Sequence, residues 1–326
     1  MSPAIRIEAL TKDYAIGFWR RRQYRALDRL TLDIEAGEVY GFLGPNGAGK
    51  TTTLKLLMQL IYPTSGRAEI LGRPVGDIAM RRRIGYLPEN PSFYDYLTAE
   101  ELLGYFGELF GYKGADRRRR VDTLLERVGI GAERRLQLRK FSKGMIQRVG
   151  IAQALLNDPE VIFLDEPMSG LDPLGRRDVR SLILELRDQG RTVFFSSHIL
   201  ADAEALCRRV AVLAGGRLAA SGTLTDILAF QVHGWELVVA NVSPDVLAKV
   251  TPAVRNATEI SPGRYALELS LDQAPDRILA ELTAAGATLI SLNPMRDTLE
   301  DFFMKRVAEM GTGARAPLAG DVNASH

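Results

Sequence analysis

The sequence predicts a two-domain α/β chain, in which a larger domain built on parallel strands precedes a smaller α+β domain. In residues 31–71 and 160–220, short apolar runs alternate with helical stretches, as a parallel sheet with crossover helices requires. Between them, residues 98–157 carry apolar side chains at helical spacing. From about residue 233 the predicted elements follow the order β-α-β-β-α-β, which is typical of a ferredoxin-like domain.

A loop that predicts nucleoside triphosphate binding is the first motif. Gly44–Thr51 fits the template G-x-x-x-x-G-K-[ST], after the apolar run Val39–Leu43 and before a helical stretch. Its glycines let backbone N–H groups converge on phosphates, Lys50 adds a charge, and the Thr51 hydroxyl can ligate Mg²⁺. A chance glycine-rich turn is the alternative, which the Lys-Thr pair and both flanks disfavour. The predicted nucleotide-binding residues of the loop are Gly44, Pro45, Asn46, Gly47, Ala48, Gly49, Lys50, Thr51 and Thr52.

The helical stretch follows an aromatic loop. Thr98 and Glu101 have the spacing of a capping box, so the first helix is predicted to begin directly after Thr98. The preceding loop, Pro91–Leu97, contains three aromatic residues. These either form a partner surface or pack beneath their own subdomain, and the sequence leaves both alternatives open.

A second anion-binding helix start is predicted at Ser142. This serine is a good N-cap for a helix that continues through Leu156, and Gly144 follows it closely. The chain therefore has two phosphate-seeking helix starts, of which only the first has its own phosphate-loop lysine. Lys143 either adds charge near a phosphate or is simply solvated.

Two carboxylates end an apolar strand in the segment Glu160–Pro167. A strand buried on both faces places its carboxyl end at the ligand crevice of a parallel sheet. Asp165 is predicted to hold Mg²⁺, and Glu166 to act as the general base toward the attacking water. The alternative, that the acidic pair caps the next helix, is disfavoured once the phosphate loop is taken into account.

In this order, the three motifs resemble those of the nucleotide-binding subunit of ATP-binding cassette (ABC) transporters. The resemblance covers about residues 4–230 and implies a P-loop NTPase core with a mixed sheet and a helical subdomain at about 90–157. It further implies that a signature motif contacts the γ-phosphate held by the opposite subunit. The residues at the signature positions are Ser142, Lys143, Gly144 and Met145, where the family usually has Ser-Gly-Gly-Gln. The residues at the D-loop positions are Ser169, Gly170, Leu171 and Asp172.

The resemblance assigns three further site residues. His198 matches the switch histidine, which contacts the γ-phosphate and joins Glu166 and Lys50 as a catalytic residue. Glu89 stands where the family usually has a glutamine, and its carboxylate keeps the role of approaching Mg²⁺. Tyr14 matches the aromatic platform for adenine and is favoured by position over Tyr24, which follows an insertion.

The composition narrows the classes of protein to which the chain can belong. With 326 residues and 46% hydrophobic content the chain can bury a sizeable core, and a net charge of +2 gives no reason to expect nucleic acid. No apolar stretch approaches the length of a membrane span, and the N-terminal residues lack a signal pattern. One cysteine, Cys207, excludes a disulfide framework and suits a reducing cytosol. Local arginine runs are either solvated faces or, near Trp19, a contact with a membrane surface or permease.

The second domain is predicted to span residues 233–309. It shows no metal cluster, second phosphate loop or nucleophile constellation, so interaction or regulation is the expectation. Its last predicted element is a helix at Thr298–Glu309, and residues 311–326 are predicted to be a disordered tail.

The resemblance implies the ATP-binding and hydrolysing subunit of an ABC exporter, with ATP and Mg²⁺ as cofactors. A homodimer or pseudo-symmetric heterodimer would close on ATP and drive a separately encoded permease, from the cytoplasmic face of the cell membrane. A soluble ABC ATPase that regulates or assembles other proteins is the alternative. A permease that co-purifies with the chain would distinguish the two.

Overall fold

The computed structural model describes residues 3–16, 22–227 and 232–296. These residues divide into two compact units, and the boundary between the units falls at residues 227 and 228. Each unit has its own cluster of buried apolar side chains.

A six-stranded sheet forms the centre of the first unit. Its strands are β3 (Val39–Leu43), β6 (Ile84–Leu87), β7 (Val161–Asp165), β8 (Thr192–Ser197), β9 (Arg209–Ala214) and β10 (Arg217–Thr223). The strand order is β10-β9-β3-β8-β7-β6, and neighbouring strands are parallel except β10, which runs antiparallel to β9. Every residue of β3, β7 and β8 is buried, because parallel strands in such folds are covered on both faces. The predicted mixed sheet is confirmed.

Eight α-helices lie among the described residues of the first unit. They are α1 (Lys50–Leu57), α2 (Ile78–Arg81), α3 (Ala99–Leu109), α4 (Gly114–Arg127), α5 (Lys143–Ala154), α6 (Pro173–Asp188), α7 (Leu200–Leu206) and α8 (Leu224–Ile227). The loops from β3 to α1, from β7 to α6 and from β8 to α7 all leave the same edge of the sheet. In parallel sheets this edge is where ligands bind.

A second sheet in this unit corrects the sequence prediction for residues 31–71. Its strands are β1 (Ile5–Ile16), β2 (Arg22–Ile34), β4 (Ser65–Ile70) and β5 (Arg73–Pro74), in the antiparallel order β2-β1-β4-β5. The strand β4 therefore does not join the parallel sheet. Its mostly polar residues suit a sheet with one wet face, whereas parallel strands need apolar residues on both faces. Apolar side chains of both sheets share one buried cluster.

The predicted helix caps in the helical stretch are present. The Thr98 hydroxyl accepts a hydrogen bond from the Glu101 backbone N–H, and the Glu101 carboxylate accepts one from the Thr98 backbone N–H. At the start of α5, the Ser142 hydroxyl accepts a hydrogen bond from the Met145 backbone N–H at 3.2 Å. Each cap satisfies a helix donor that would otherwise lack a partner.

The second unit has an antiparallel sheet of four strands. Its elements are β11 (Val232–Ala240), α9 (Pro244–Val250), β12 (Asn256–Ser261), β13 (Arg264–Ser270), α10 (Pro275–Ala284) and β14 (Thr288–Arg296). The strand order is β12-β13-β11-β14, and inward side chains such as Leu237 and Leu267 are fully buried. The predicted helix Thr298–Glu309 and the predicted tail 311–326 lie outside the described residues.

Candidate nucleotide-binding and catalytic site

The phosphate loop lies between β3 and α1 in a conformation that requires glycine. Gly47 and Gly49 have φ values of 80° and 105°, in the left-handed region. A Cβ atom at Gly49 would lie 2.6 Å from the Ala26 carbonyl oxygen, and one at Gly44 would lie 2.5 Å from the Leu213 carbonyl oxygen. The absence of side chains lets the loop pass tightly against β2 and β9.

Lys50 joins the loop to the end of β7. Its side chain is only 6% exposed, and Nζ donates hydrogen bonds to the carbonyl oxygens of Gly44 at 2.6 Å and Pro45 at 3.3 Å. The same Nζ lies 3.3 Å from Oε1 of Glu166. Among the described residues this oxygen accepts no hydrogen bond, so the contact is an ion pair.

Asp165 is completely buried at the end of β7. Its Oδ1 accepts a hydrogen bond from the Ser196 hydroxyl at 2.6 Å, whereas Oδ2 has no hydrogen-bond partner among the described residues. Burial raises the pKa of Asp165, and the hydrogen bond from Ser196 and the nearby Thr51 hydroxyl oppose that rise. A buried carboxylate oxygen beside the Thr51 hydroxyl offers the hard oxygen ligands that Mg²⁺ prefers.

No cluster of three or more His, Cys, Asp or Glu side chains with metal-site geometry occurs in the described ranges. A cation held here would take its protein oxygens from Thr51 and Asp165. Water and phosphate oxygens would supply the remaining ligands, which is the usual arrangement for Mg²⁺ at a nucleotide.

Glu166 brings the predicted catalytic side chains together. Its carboxylate contacts Lys50 through Oε1, and Oε2 lies 2.9 Å from Nδ1 of His198. The residue is 7% exposed and has φ of 49°, a left-handed backbone that is uncommon for any residue except glycine. Its backbone N–H donates to the Ser196 hydroxyl at 3.0 Å. The loops after β7 and β8 thus place Glu166 between the phosphate-loop lysine and His198.

An open cleft of about 290 Å³ lies beside Lys50 and Glu166. The residues lining it are Tyr14, Tyr24, Ala26, Pro45, Asn46, Gly47, Gly49, Lys50, Thr51, Thr52, Glu89 and Glu166. Of the predicted nucleotide-binding residues, Gly44 and Ala48 are not in the lining, and Ala48 packs in the core cluster instead. Glu89 and the two tyrosines are distant from the phosphate loop in sequence, and the fold brings them to the same cleft.

The two competing tyrosines are direct cross-strand partners. Tyr14 on β1 lies opposite Tyr24 on β2, and both line the cleft. The ammonium group of Lys12 lies 5.1 Å from the centre of the Tyr14 ring, and Tyr24 is 48% exposed. Cross-strand partners share one face of a sheet, so the geometry makes both rings part of one aromatic surface.

The signature and D-loop residues lie together but outside this cleft. A Cβ atom at Gly170 would lie 2.8 Å from Cδ of Lys143, and one at Gly144 would lie 3.2 Å from Cδ2 of Leu171. Asp172 accepts a hydrogen bond from the Gly175 backbone N–H at 2.9 Å and so caps α6. Among the described residues that line the cleft, none belongs to the signature.

Two buried polar residues were missed from the sequence. Ser196 contacts both Asp165 and the Glu166 backbone, and Gln147 donates from α5 to the carbonyl oxygens of Glu166 and Pro167. A hydroxyl within the apolar strand β8 was an available signal for Ser196. Gln147 gives no such signal, because the polar face of a helix carries many glutamines.

Comparisons with known proteins agree with this geometry. A model of the ABC transporter family matches residues 27–169. An uncharacterised ABC transporter ATP-binding protein of Synechocystis is 45% identical over 304 residues, covering 93% of this chain and 84% of the relative. The bacitracin transport ATP-binding protein BcrA of Bacillus licheniformis is 42% identical over 221 residues, covering 67% of this chain and 69% of the relative.

The solved structures show the same relationship. A dimeric post-hydrolysis state of the ATP-binding cassette MJ0796, bound to ADP and Pi, matches with a TM-score of 0.62 and 28% identity. The match covers 68% of this chain and 98% of that chain.

Proposed function

Because the chain belongs to the family of ABC transporter ATP-binding proteins, we propose that it hydrolyses ATP to drive an exporter permease. The contacts of Glu166 with Lys50 and His198, next to Asp165 in sequence and at the edge of the cleft, support the proposal most directly. Such a set combines phosphate binding, oxygen ligands and a base in one place. The name of the bacitracin transport relative supports the transport role.

Binding of the triphosphate follows from the loop and the tyrosines. The backbone N–H groups of residues 46–51, which include the start of α1, would receive the phosphates, with Lys50 at the β/γ-phosphates. The aromatic surface of Tyr14 and Tyr24 would stack on the base. Thr51 and Asp165 would hold Mg²⁺ with Glu89 nearby, and the metal would neutralise charge on the phosphate oxygens.

Hydrolysis requires a positioned water beside the γ-phosphate. Glu166 would orient that water and accept its proton, because its carboxylate faces the cleft and is kept from bulk solvent. His198 contacts the Glu166 carboxylate through Nδ1. Its other ring nitrogen would remain available to the γ-phosphate.

A second subunit would complete the site. The signature residues Ser142–Met145 stand at the exposed start of α5, away from the cleft of their own chain. A helix start with free N–H groups suits an anion supplied from elsewhere. The dimeric cassette found among similar structures supports a pair of chains with two ATP molecules between them.

A matched pair of lysine variants tests ATP binding by this loop. Lys50→Ala should weaken ATP binding about tenfold or more, because it deletes a buried charge that contacts phosphates in the ground state. Lys55→Ala removes an exposed lysine from the same helix and should leave binding unchanged. Calorimetric titration with Mg-ATP measures both. Equal affinities for wild type and Lys50→Ala would contradict the role of this lysine.

Exposed aromatic side chains support a protein partner at the helical stretch. Tyr94 and Tyr96 are each 60% exposed, with ring centroids 5.8 Å apart, in the loop before α3. Tyr105 and Leu109 on α3 are also more than half exposed. Such apolar surface is typical of contact sites, and we assign it to the permease. In the part of the chain that the structure describes, no helix has the length and apolarity of a membrane span.

Replacing the exposed tyrosines separates the transport role from a regulatory one. Tyr94→Ser with Tyr96→Ser should abolish co-sedimentation with membranes that contain the co-expressed permease, while ATP hydrolysis by the purified chain stays within about twofold. Both residues lie outside the cleft, so a loss confined to the membrane fraction reports on the partner surface. Wild-type chain that never sediments with the permease would favour the regulatory alternative.

A further inference from the structure

The Glu166 backbone is held from two sides by buried polar side chains. Ser196, which is completely buried, accepts a hydrogen bond from the Glu166 N–H at 3.0 Å. On the other side, Gln147 Nε2 donates to the carbonyl oxygens of Glu166 at 3.4 Å and Pro167 at 3.2 Å. Gln147 is only 1% exposed. These contacts retain Glu166 in a left-handed conformation that is unfavourable for a residue with a side chain.

Ser196 and Gln147 belong to different elements, a strand and a helix. Ser196 stands on β8, two residues before His198. Gln147 stands on α5, one turn after the signature residues at the helix start. The same turn of α5 also contacts the D-loop, through Lys143 against Gly170 and Gly144 against Leu171. The start of α5 therefore lies close to the D-loop and is hydrogen-bonded, through Gln147, to the segment that carries Glu166.

From this arrangement we infer that Gln147 is a positioning residue that couples the signature helix to the catalytic carboxylate of the same chain. The inference rests on the proposed function, in which the signature binds the γ-phosphate held by the partner. A helix is stiff along one turn, so movement of its start changes the position of Gln147. The two donor–acceptor distances are at the long end of the hydrogen-bond range, so a shift of α5 toward β7 would strengthen both bonds.

The consequence is a connection between the two composite sites. ATP bound by one chain would act on the signature helix of the other chain, and through Gln147 on the Glu166 carboxylate there. Each catalytic carboxylate would then be placed correctly only when the opposite site is filled. This requires a differential contact at two positions of one element, which Ser142–Met145 and Gln147 supply.

Gln147→Met tests the coupling, because methionine keeps the shape of the side chain and removes its donors. We expect kcat for ATP hydrolysis to fall about tenfold or more, with KM for ATP within about twofold. ATP-dependent dimerisation, followed by analytical ultracentrifugation, should persist because the phosphate loop and signature are intact. Gln153→Met on the same helix is the control and should behave as wild type, since its side chain makes no hydrogen bond to any other described residue.

The outcomes separate this inference from simpler explanations. Wild-type kcat in Gln147→Met would overturn it, as would a loss of turnover matched by equal losses of dimerisation and thermal stability. If the methionine variant does not fold, Gln147→Asn replaces it in the same measurements of kcat and dimerisation. Asparagine is shorter by one methylene, so its amide cannot reach the same carbonyl oxygens. A wild-type chain that neither hydrolyses ATP nor dimerises with it would overturn the proposed function first, and the coupling with it.

Discussion

Glu166→Gln is expected to lower ATP turnover by about 100-fold or more while ATP binding remains intact. The amide has nearly the same shape as the carboxylate, so it keeps the packing beside the phosphate loop, although it loses the ion pair with Lys50. It cannot accept the proton of the attacking water, and the loss therefore appears in kcat rather than in affinity. With hydrolysis blocked, an ATP-bound dimer should accumulate and elute early in size-exclusion chromatography.

The control for this substitution lies at the beginning of the same strand. Glu160 precedes β7, is substantially exposed and pairs with Arg83. Glu160→Gln removes a carboxylate of the same type at a surface where an ion pair contributes less than about 1 kcal/mol. It should hydrolyse ATP at the wild-type rate. Near-normal turnover by Glu166→Gln would remove this residue from the catalytic role.

Gly144→Asp is expected to abolish hydrolysis and leave ATP binding by the single chain largely intact. In the proposed dimer, the new carboxylate would face the γ-phosphate bound by the partner, and two negative charges at contact distance repel strongly. The control variant Gly144→Ala separates the effect of the added charge from the effect of the added side-chain volume. A Cβ atom here lies 3.2 Å from Leu171, so alanine imposes the same contact without the charge and should retain much more activity.

Mixing two inactive variants tests whether the sites are composite. In a dimer of one Gly144→Asp chain and one Lys50→Ala chain, one site combines both defects. The other site combines an intact phosphate loop with an intact signature. If the two sites act independently, the mixture recovers part of the ATPase activity that neither variant shows alone. The coupling inferred through Gln147 instead keeps the mixture inactive, because the site opposite the intact one is defective. Normal hydrolysis by Gly144→Asp alone would show the two-chain mechanism to be wrong.

Local features of this chain could be predicted from the sequence because neighbouring residues determine them. The phosphate loop, the caps at Thr98 and Ser142 and the buried strand before Asp165 all depend on residues within one or two turns. The pairing of β4 with β1 could not be predicted in this way, because it joins residues about sixty positions apart. Polar strands give little information about which distant strand they meet.

The same limit applies to the site. Spacing places Asp165 and Glu166 at the end of a strand, but their contacts with Ser196 and Gln147 depend on how three elements pack. Position along the chain favoured Tyr14 over Tyr24. The antiparallel register sets the two rings opposite one another in the same cleft, which no local pattern could reveal.

At position 166, selection for catalytic activity and selection for stability favour different residues, because the backbone there is left-handed. Glycine or asparagine would adopt that conformation with less strain, yet neither side chain can serve as the base. Only a continuing need for turnover retains glutamate there. A lineage released from that need would be free to drift toward the relaxed residues, and the identity of position 166 would then record whether a descendant still consumes ATP.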